Sequence, residues 1–356
     1  MTSERIAIVG CGAIGSTCLA YLTRGGRDVT GIDPWQERVY RIAAEGLALE
    51  GVDESFTVHP RVVFLDEVPR TETFDVVILS VKGYDNRWAA LYARDILKPD
   101  GVLLSAQNGL HEVALPDVVG ENSVVGCVVA MGAEVLGPAA VKCSTGTERP
   151  HLFIGELTGA ESPRVTDLAG LLEPAGPVEA TTGIWAELWS KMTQNVMFNG
   201  LAGICGFTAG TLWTDPRCTD IALALAHECA LVAHAQGSAV HPILGRISSQ
   251  LLIAAERPET EAWTEATELL YAEGRKRTGK RDNASSLLQD LWKGRRTEVD
   301  YFNGVLADLG TRLGVQAPVS TLITRTVHQL ERRNLETGPE LLDEVHKLVL
   351  ETIGAA

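Results

Sequence analysis

The chain opens with a β-branched run, Arg5-Ile-Ala-Ile-Val9, that leads directly into Gly10-Cys-Gly12-Ala-Ile-Gly15-Ser16. Three glycines at this spacing, between an extended run and an amphipathic one, admit few solutions: a strand must turn sharply into a helix lying close against it. Gly10 serves the turn, Gly12 lets a ligand approach the backbone, and Gly15 lets helix and strand pack tightly. The helix start presents unpaired N–H groups and the positive end of its dipole, which together attract phosphate. An acid about 20 residues further on completes the pattern, and here Asp33 closes the next apolar run, Asp28-Val-Thr-Gly-Ile-Asp33. The combination predicts an adenine dinucleotide held by Gly10, Cys11, Gly12, Ala13, Ile14, Gly15 and Asp33. A carboxylate at Asp33 accepts from the ribose hydroxyls and repels a 2′-phosphate, which favours NAD(H). Arg38, close in sequence, leaves NADP(H) open, and Asp33 has a second reading as the cap of the turn at Pro34.

The 356 residues suffice for two domains, each with its own core. In the first half, short β-branched runs alternate with amphipathic stretches: Ile6–Val9, Val29–Ile32, Val62–Leu65, Val76–Val81, Val102–Ser105 and Val124–Val129. Such alternation predicts a doubly wound parallel sheet of Rossmann type. Two later runs, Ala139–Cys143 and Leu152–Ile154, are expected to extend that sheet as antiparallel strands. After about Pro177 apolar residues recur every three or four positions, as in Leu306, Leu309 and Leu313, so the second half is expected to be all helical. The fold expected is α/β, with a dinucleotide-binding domain over 1–180 and a helical substrate and dimerisation domain over 181–356. The charge-rich stretch Glu256–Asp282 is expected to be a mobile excursion.

Charge and cysteines exclude several classes of partner. With 31 basic and 46 acidic residues the net charge is −15, which disfavours nucleic acid and anionic membranes. Seven cysteines, at 11, 18, 127, 143, 205, 218 and 229, are odd in number and scattered, with no Cys-x-x-Cys pair. Reduced, buried thiols of a cytoplasmic protein are expected, and no metal site. No charged-then-apolar leader precedes the first strand and no uninterrupted apolar run reaches the length of a membrane span, so neither secretion nor insertion is expected.

Several residues are placed to carry chemistry. Ser80-Val-Lys82 and Gln107-Asn108-Gly109 follow predicted strands, and ligands of open α/β sheets bind outside the carboxyl ends of the strands. Lys82 can reach a ribose or phosphate and Asn108 the nicotinamide end or a substrate; a solvated lysine and an Asn-Gly turn are the plain alternatives. Further on, Lys191, Asn195 and Asn199 recur at i, i+4 and i+8 inside a Trp-rich apolar segment, which puts them on one helical face. Asparagine is a poor helix former, and buried polar groups need partners, which a ligand can provide. Ser286 with Gln289 matches a capping box, and a helix start of that kind also receives carboxylates. Glu298 either pairs with Arg295 or Arg296 at the surface or faces the cleft as an acceptor.

Taken together, the Gly10–Ser16 loop, Val81-Lys82, Asn108-Gly109, the Lys191/Asn195/Asn199 helix and the block from Ser285-Ser286-Leu-Leu-Gln-Asp290 to Glu298-Val-Asp-Tyr-Phe-Asn-Gly304 resemble the ketopantoate reductase (2-dehydropantoate 2-reductase) family. The resemblance spans both halves. It implies a Rossmann domain followed by a helical one, a 2-keto acid and nicotinamide meeting in the cleft between them, and a homodimer through the helical half. By the same resemblance Lys191 is the general acid, Asn195, Asn199 and Asn108 bind substrate, Ser286 takes its carboxylate, Glu298 takes a cofactor or substrate hydroxyl, and Lys82 and Asn108 contact the cofactor. Three features depart from the family pattern: Asp33-Pro34 stands where an arginine usual for NADPH would follow the second strand, Ala209 stands where a further asparagine is usual, and the chain is longer before Ser286.

The function expected is hydride transfer between a nicotinamide cofactor and a 2-keto or 2-hydroxy acid, with 2-dehydropantoate as the leading substrate. Asp33 and Ala209 motivate an alternative, an NAD-dependent D-2-hydroxy-acid dehydrogenase acting on a bulkier substrate. A dinucleotide-binding sensor without turnover is a third reading, which the set Lys191, Ser286 and Glu298 disfavours. The basic run Arg275–Arg277 with Lys280-Arg281 has two readings, steering of an anionic substrate or a solvated loop.

Overall fold

The computed structural model describes residues 4–277 and 284–354, which form two compact units, Met1–Trp185 and Ala186–Ala356. The first unit contains strands β1 (Arg5–Val9), β2 (Asp28–Ile32), β3 (Leu47–Glu50), β4 (Ser55–Val58), β5 (Arg61–Val63), β6 (Phe74–Leu79), β7 (Leu97–Ser105), β8 (Val124–Val129), β9 (Ala133–Gly137), β10 (Ala140–Cys143), β11 (Leu152–Glu156) and β12 (Val178–Ala180). Eight of them make the main sheet, in the order β12-β11-β8-β7-β6-β1-β2-β5. From β5 to β8 every pairing is parallel, and β11 joins β8 antiparallel. The run β5-β2-β1-β6-β7-β8 reverses direction between β1 and β6, the point at which a doubly wound sheet opens a crevice for its ligand.

Successive residues of β1 point to opposite faces: Ile6 and Ile8 join one buried cluster with Cys18, Leu19 and Leu22 of the Ala13–Arg24 helix, while Ala7 and Val9 join another with Ala89, Ala90 and Ala93 of the Asn86–Ile96 helix. Both faces are covered, which is why the central strands read as continuous apolar runs. Burying each of the Ile, Leu and Val side chains among them contributes about 1.5–3 kcal/mol.

Ala139–Cys143 does not extend this sheet as expected. Its strand β10 belongs to a second sheet, β4-β3-β10-β9, parallel to β3 and antiparallel to β9. The reason lies in burial: Val141 and Cys143 are buried while Lys142 between them is exposed. A strand wet on one face cannot enter a sheet covered on both.

The second unit is helical. The stretch expected to be a mobile excursion contains a 17-residue helix, Glu261–Arg277, whose Trp263, Ala266 and Leu270 are buried at i, i+3 and i+7. Charge dominates its composition and masks a narrow apolar stripe; Lys280-Arg281 lie outside the described residues. Among the described residues one helix, Pro216–Ala235, is long and apolar enough to cross a membrane by length and composition, but Arg217, Asp220 and Glu228 interrupt it, so it is not an uninterrupted apolar run and the sequence expectation stands. Its residues Cys218, Ile221, Leu225, Cys229 and Val232 are buried in the unit's own core, which accounts for its composition. All seven cysteines are free and buried.

Candidate active site

In the first unit the glycine loop divides its work measurably. Gly10 leaves β1 at φ +95°, a left-handed conformation that favours glycine, and a Cβ there would lie 2.7 Å from Val81 Cγ1. At Gly15 a Cβ would lie 2.0 Å from the Gly10 carbonyl oxygen and 2.4 Å from Ser80 Oγ. Gly12 differs: the nearest atom a Cβ there would meet is the Ser80 carbonyl oxygen, at 4.0 Å. Packing within the protein does not demand glycine at 12, whereas close approach of a pyrophosphate does. The Ala13–Arg24 helix starts at Gly12 with no side chain capping it. Loop, open space and uncapped helix start together fit a dinucleotide.

Hydrogen bonds tie the surrounding strand ends to this loop. Gly10 N–H donates to the Ile32 carbonyl at 2.8 Å, Ser80 Oγ donates to the Gly10 carbonyl at 2.6 Å, and Gln107 Nε2 donates to the Val81 carbonyl at 2.9 Å. The segments carrying Lys82 and Asn108 are thereby drawn to the loop, and both residues are half-buried. Gln107, which the sequence reading left without a role, is the cross-brace between them.

Asp33 is 6% exposed and plays the structural part anticipated for it: Oδ1 accepts from Trp35 N–H at 2.7 Å, across Pro34. Its Oδ2 accepts from Cys11 N–H at 2.5 Å, which fixes the loop to the end of β2. A carboxylate offers about four lone-pair positions, so about two remain for further donors. Burial pushes the Asp33 carboxyl up, opposed by the Trp35 and Cys11 N–H groups and by Arg38. Arg38 is 1% exposed and committed to the fold, donating to Ser16 Oγ at 3.0 Å and lying 5.1 Å over the Trp35 ring.

In the second unit the Ile184–Cys205 helix carries the polar stripe. Lys191 is half-buried, Asn195 is 8% and Asn199 6% exposed. Burial lowers the Lys191 ammonium below its usual range. Asn199 Nδ2 donates to Asn195 Oδ1 at 3.2 Å, which orients the Asn195 amide and leaves its Nδ2 buried without a partner. Lys191 and Asn195 line a cavity of about 140 Å³ that Phe198, Ala209, Trp213 and Leu244 also face. The far wall is fastened to the helix: Ser190 Oγ accepts from His241 N–H at 2.7 Å, and His241 Nδ1 lies 2.9 Å from Glu187 Oε1.

The later block packs on the same helix. A Cβ on Gly203 would lie 2.6 Å from Leu287 Cδ2, and Asn303 Nδ2 donates to the Val196 carbonyl at 3.3 Å. The expected capping box at Ser286 is displaced by one residue: Ser285 Oγ accepts from Leu288 N–H at 3.1 Å, while Ser286 is the first residue of the Ser286–Trp292 helix and is exposed. A serine pair hides which hydroxyl turns inward, and here the buried one caps. Glu298 is 6% exposed, and Arg296 pairs with Asp300 at 3.3 Å. Sequence reasoning missed the segment around Ile243 and Leu244 altogether; its only signal is a left-handed turn carried partly by a leucine.

Two family models match the chain, Ketopantoate reductase PanE/ApbA over residues 6–158 and Ketopantoate reductase PanE/ApbA C terminal over residues 183–331. A 2-dehydropantoate 2-reductase of Aquifex aeolicus is 26% identical over 341 residues, covering 93% of this chain and 98% of the relative. Among solved structures, a PanE/ApbA family ketopantoate reductase from Ralstonia eutropha JMP134 superposes with a TM-score of 0.74 at 26% identity, covering 92% and 99% of the two chains. A D-mandelate dehydrogenase solved with NADH and anilino(oxo)acetate shares the fold at a TM-score of 0.76 and 23% identity, covering 93% and 100%.

Proposed function

The chain belongs to the ketopantoate reductase family, and we propose that it interconverts a 2-oxo acid and its 2-hydroxy acid, with NAD(H) favoured and Lys191 as proton donor. Membership makes it an NAD(P)-dependent oxidoreductase acting on a CH–OH group. The nicotinamide supplies the hydride. As the ketone is reduced, negative charge builds on its oxygen, and a cation that hands over a proton there stabilises the transition state more than the ground state. Lys191 Nζ is assigned that proton, a contribution of about 10²- to 10⁴-fold in rate.

One observation carries the reading. Lys191, its ammonium depressed by burial, opens on the same cavity as the unpartnered Asn195 amide, so a proton donor and a buried hydrogen-bond donor await one polar ligand. Asn195 is assigned a carboxylate or carbonyl oxygen of the substrate, with Asn199 holding its amide in place. Asn108 and Lys82 are assigned to the dinucleotide, with Asn108 also reaching substrate, Ser286 to the substrate carboxylate, and Glu298 to a hydroxyl. Asp33, with acceptor capacity to spare and Arg38 engaged elsewhere, favours NAD(H) over NADP(H). Seven buried, unpaired thiols fit a reducing, cytoplasmic setting.

The relatives' names make 2-dehydropantoate the leading substrate. Ala209 in the cavity wall favours the second reading, a 2-hydroxy-acid dehydrogenase for a bulkier acid. Steady-state reduction of a panel of 2-oxo acids with each cofactor is the test. We expect turnover of at least one of them, with kcat/KM for NADH exceeding that for NADPH by about tenfold, the equivalent of about 1.4 kcal/mol. Binding of NADH without turnover of any 2-oxo acid would instead establish a sensor.

A further inference from the structure

The geometry points to a specific occupant for the cavity beside Lys191: a phenyl-sized apolar substituent on the 2-oxo acid, with Ala209 as the residue that makes room for it. This rests on the reading of Lys191 as the donor to a 2-oxo acid and narrows the class of that acid.

The cavity is divided by polarity. Lys191, Gln194 and Asn195 form one side, suited to a carboxylate and a carbonyl, while Met197, Phe198, Ala209, Trp213, Ile243 and Leu244 form the rest. Met197 and Ile243 are each 1% exposed and Trp213 4%, while Phe198 and Leu244 are half-buried. The pocket as a whole, polar and apolar sides together, has a volume of about 140 Å³, on the scale of an apolar cavity of about 150 Å³ that binds benzene. The Phe198 and Trp213 rings lie 5.9 Å apart, tilted by 36°, an arrangement that a third ring can join edge or face on. A methyl group would leave most of this wall without a contact.

The backbone supplies an independent sign. Leu244 sits at φ +54° and Gly245 at φ +71°, the two central residues of a tight turn closed by Arg246 N–H donating to the Ile243 carbonyl at 3.1 Å. Such positions favour glycine or asparagine, and a leucine there is strained. Strain of this kind persists where the side chain serves a site, and the Leu244 side chain forms part of the cavity wall. Ala209, only 9% exposed, starts the short Ala209–Leu212 helix that carries Trp213 at its end, so a larger side chain at 209 would grow into the cavity.

The test compares phenylglyoxylate with pyruvate, as substrates with NADH and, for phenylglyoxylate, as a ligand of the NAD⁺-loaded enzyme by calorimetry. The wild-type protein should favour phenylglyoxylate by about 100-fold or more in kcat/KM, the scale expected when a whole ring is buried. Ala209→Leu should remove about 30-fold or more of that advantage and should weaken phenylglyoxylate binding in parallel. Leu244→Gly relieves the turn, so it should raise the melting temperature while lowering aryl affinity, which separates lost contacts from lost folding. A wild-type protein that favours pyruvate, or an Ala209→Leu loss equal for both acids, overturns the proposal. Phenylglyoxylate bound tightly, and released by Ala209→Leu, without turnover of any acid would refute the Lys191 reading and uphold the cavity. Turnover of small acids with no phenylglyoxylate binding would do the reverse.

Discussion

At Glu112 the fold carries a carboxyl to 2% exposure and leaves its Oε1 without a hydrogen-bond partner. Burial pushes its pKa up to about 8, with backbone N–H groups of Glu112 and Cys127 opposing. The folded protein therefore holds a proton that the unfolded chain releases near the ordinary carboxylate value of 4.5. Stability from this group is full below that value and is lost as pH rises toward about 8. Glu112→Gln keeps the shape and removes the ionisation. Denaturant unfolding should show it more stable than wild type at pH 8 and little different at pH 5; an equal effect at both pH values would mean the carboxyl is not the titrating group. Single residues were legible in the sequence where chemistry conflicted with surroundings. Lys191, Asn195 and Asn199 stood out as polar positions repeating inside an apolar helix, and the structure buries both asparagines. Ser285 and Ser286 were not separable, because one residue of helical register decides which hydroxyl faces inward.

At the scale of the element, the glycine loop supports a paired prediction. A Cβ at Gly12 meets no other part of the protein closer than 4.0 Å, whereas one at Gly15 collides with the Gly10 carbonyl. Gly12→Ala should fold with a melting temperature close to wild type and yet bind NADH at least about tenfold more weakly, as close approach to the pyrophosphate is lost. Gly15→Ala should destabilise the unit by about 1–3 kcal/mol, the usual scale of overpacking. Thermal unfolding and NADH fluorescence titration together check both, and unaltered NADH affinity in Gly12→Ala would remove the loop from the dinucleotide site. Elements with strong periodicity were legible: β1, β2, β6 and β8 lie where their β-branched runs predicted. Elements were missed where composition hid the period. The Glu261–Arg277 helix keeps only a thin apolar stripe under its charges, and β10 gives too short a run to reveal which sheet it joins.

At the scale of the whole molecule, the α/β class followed from alternation in one half and three-to-four spacing in the other. The small second sheet was invisible because its partners, β3 with β10, lie about 90 residues apart and pair through backbone rather than through any sequence pattern. Function is distributed in the same way. The first unit is assigned the dinucleotide and the second the proton, so a sequence reading that stopped at the glycine loop would have found a cofactor and no reaction. With the Lys191 ammonium depressed by burial, reductive kcat/KM should fall as pH rises through a value below the usual 10.5, and oxidation, which needs the neutral amine, should rise over the same interval. The most direct measurement is the turnover number of Lys191→Ala with its best 2-oxo acid, in a variant shown to fold and to bind NADH as wild type does. A fall of about 10²- to 10⁴-fold is predicted; a turnover within about threefold of wild type would contradict the assignment of the proton to Lys191.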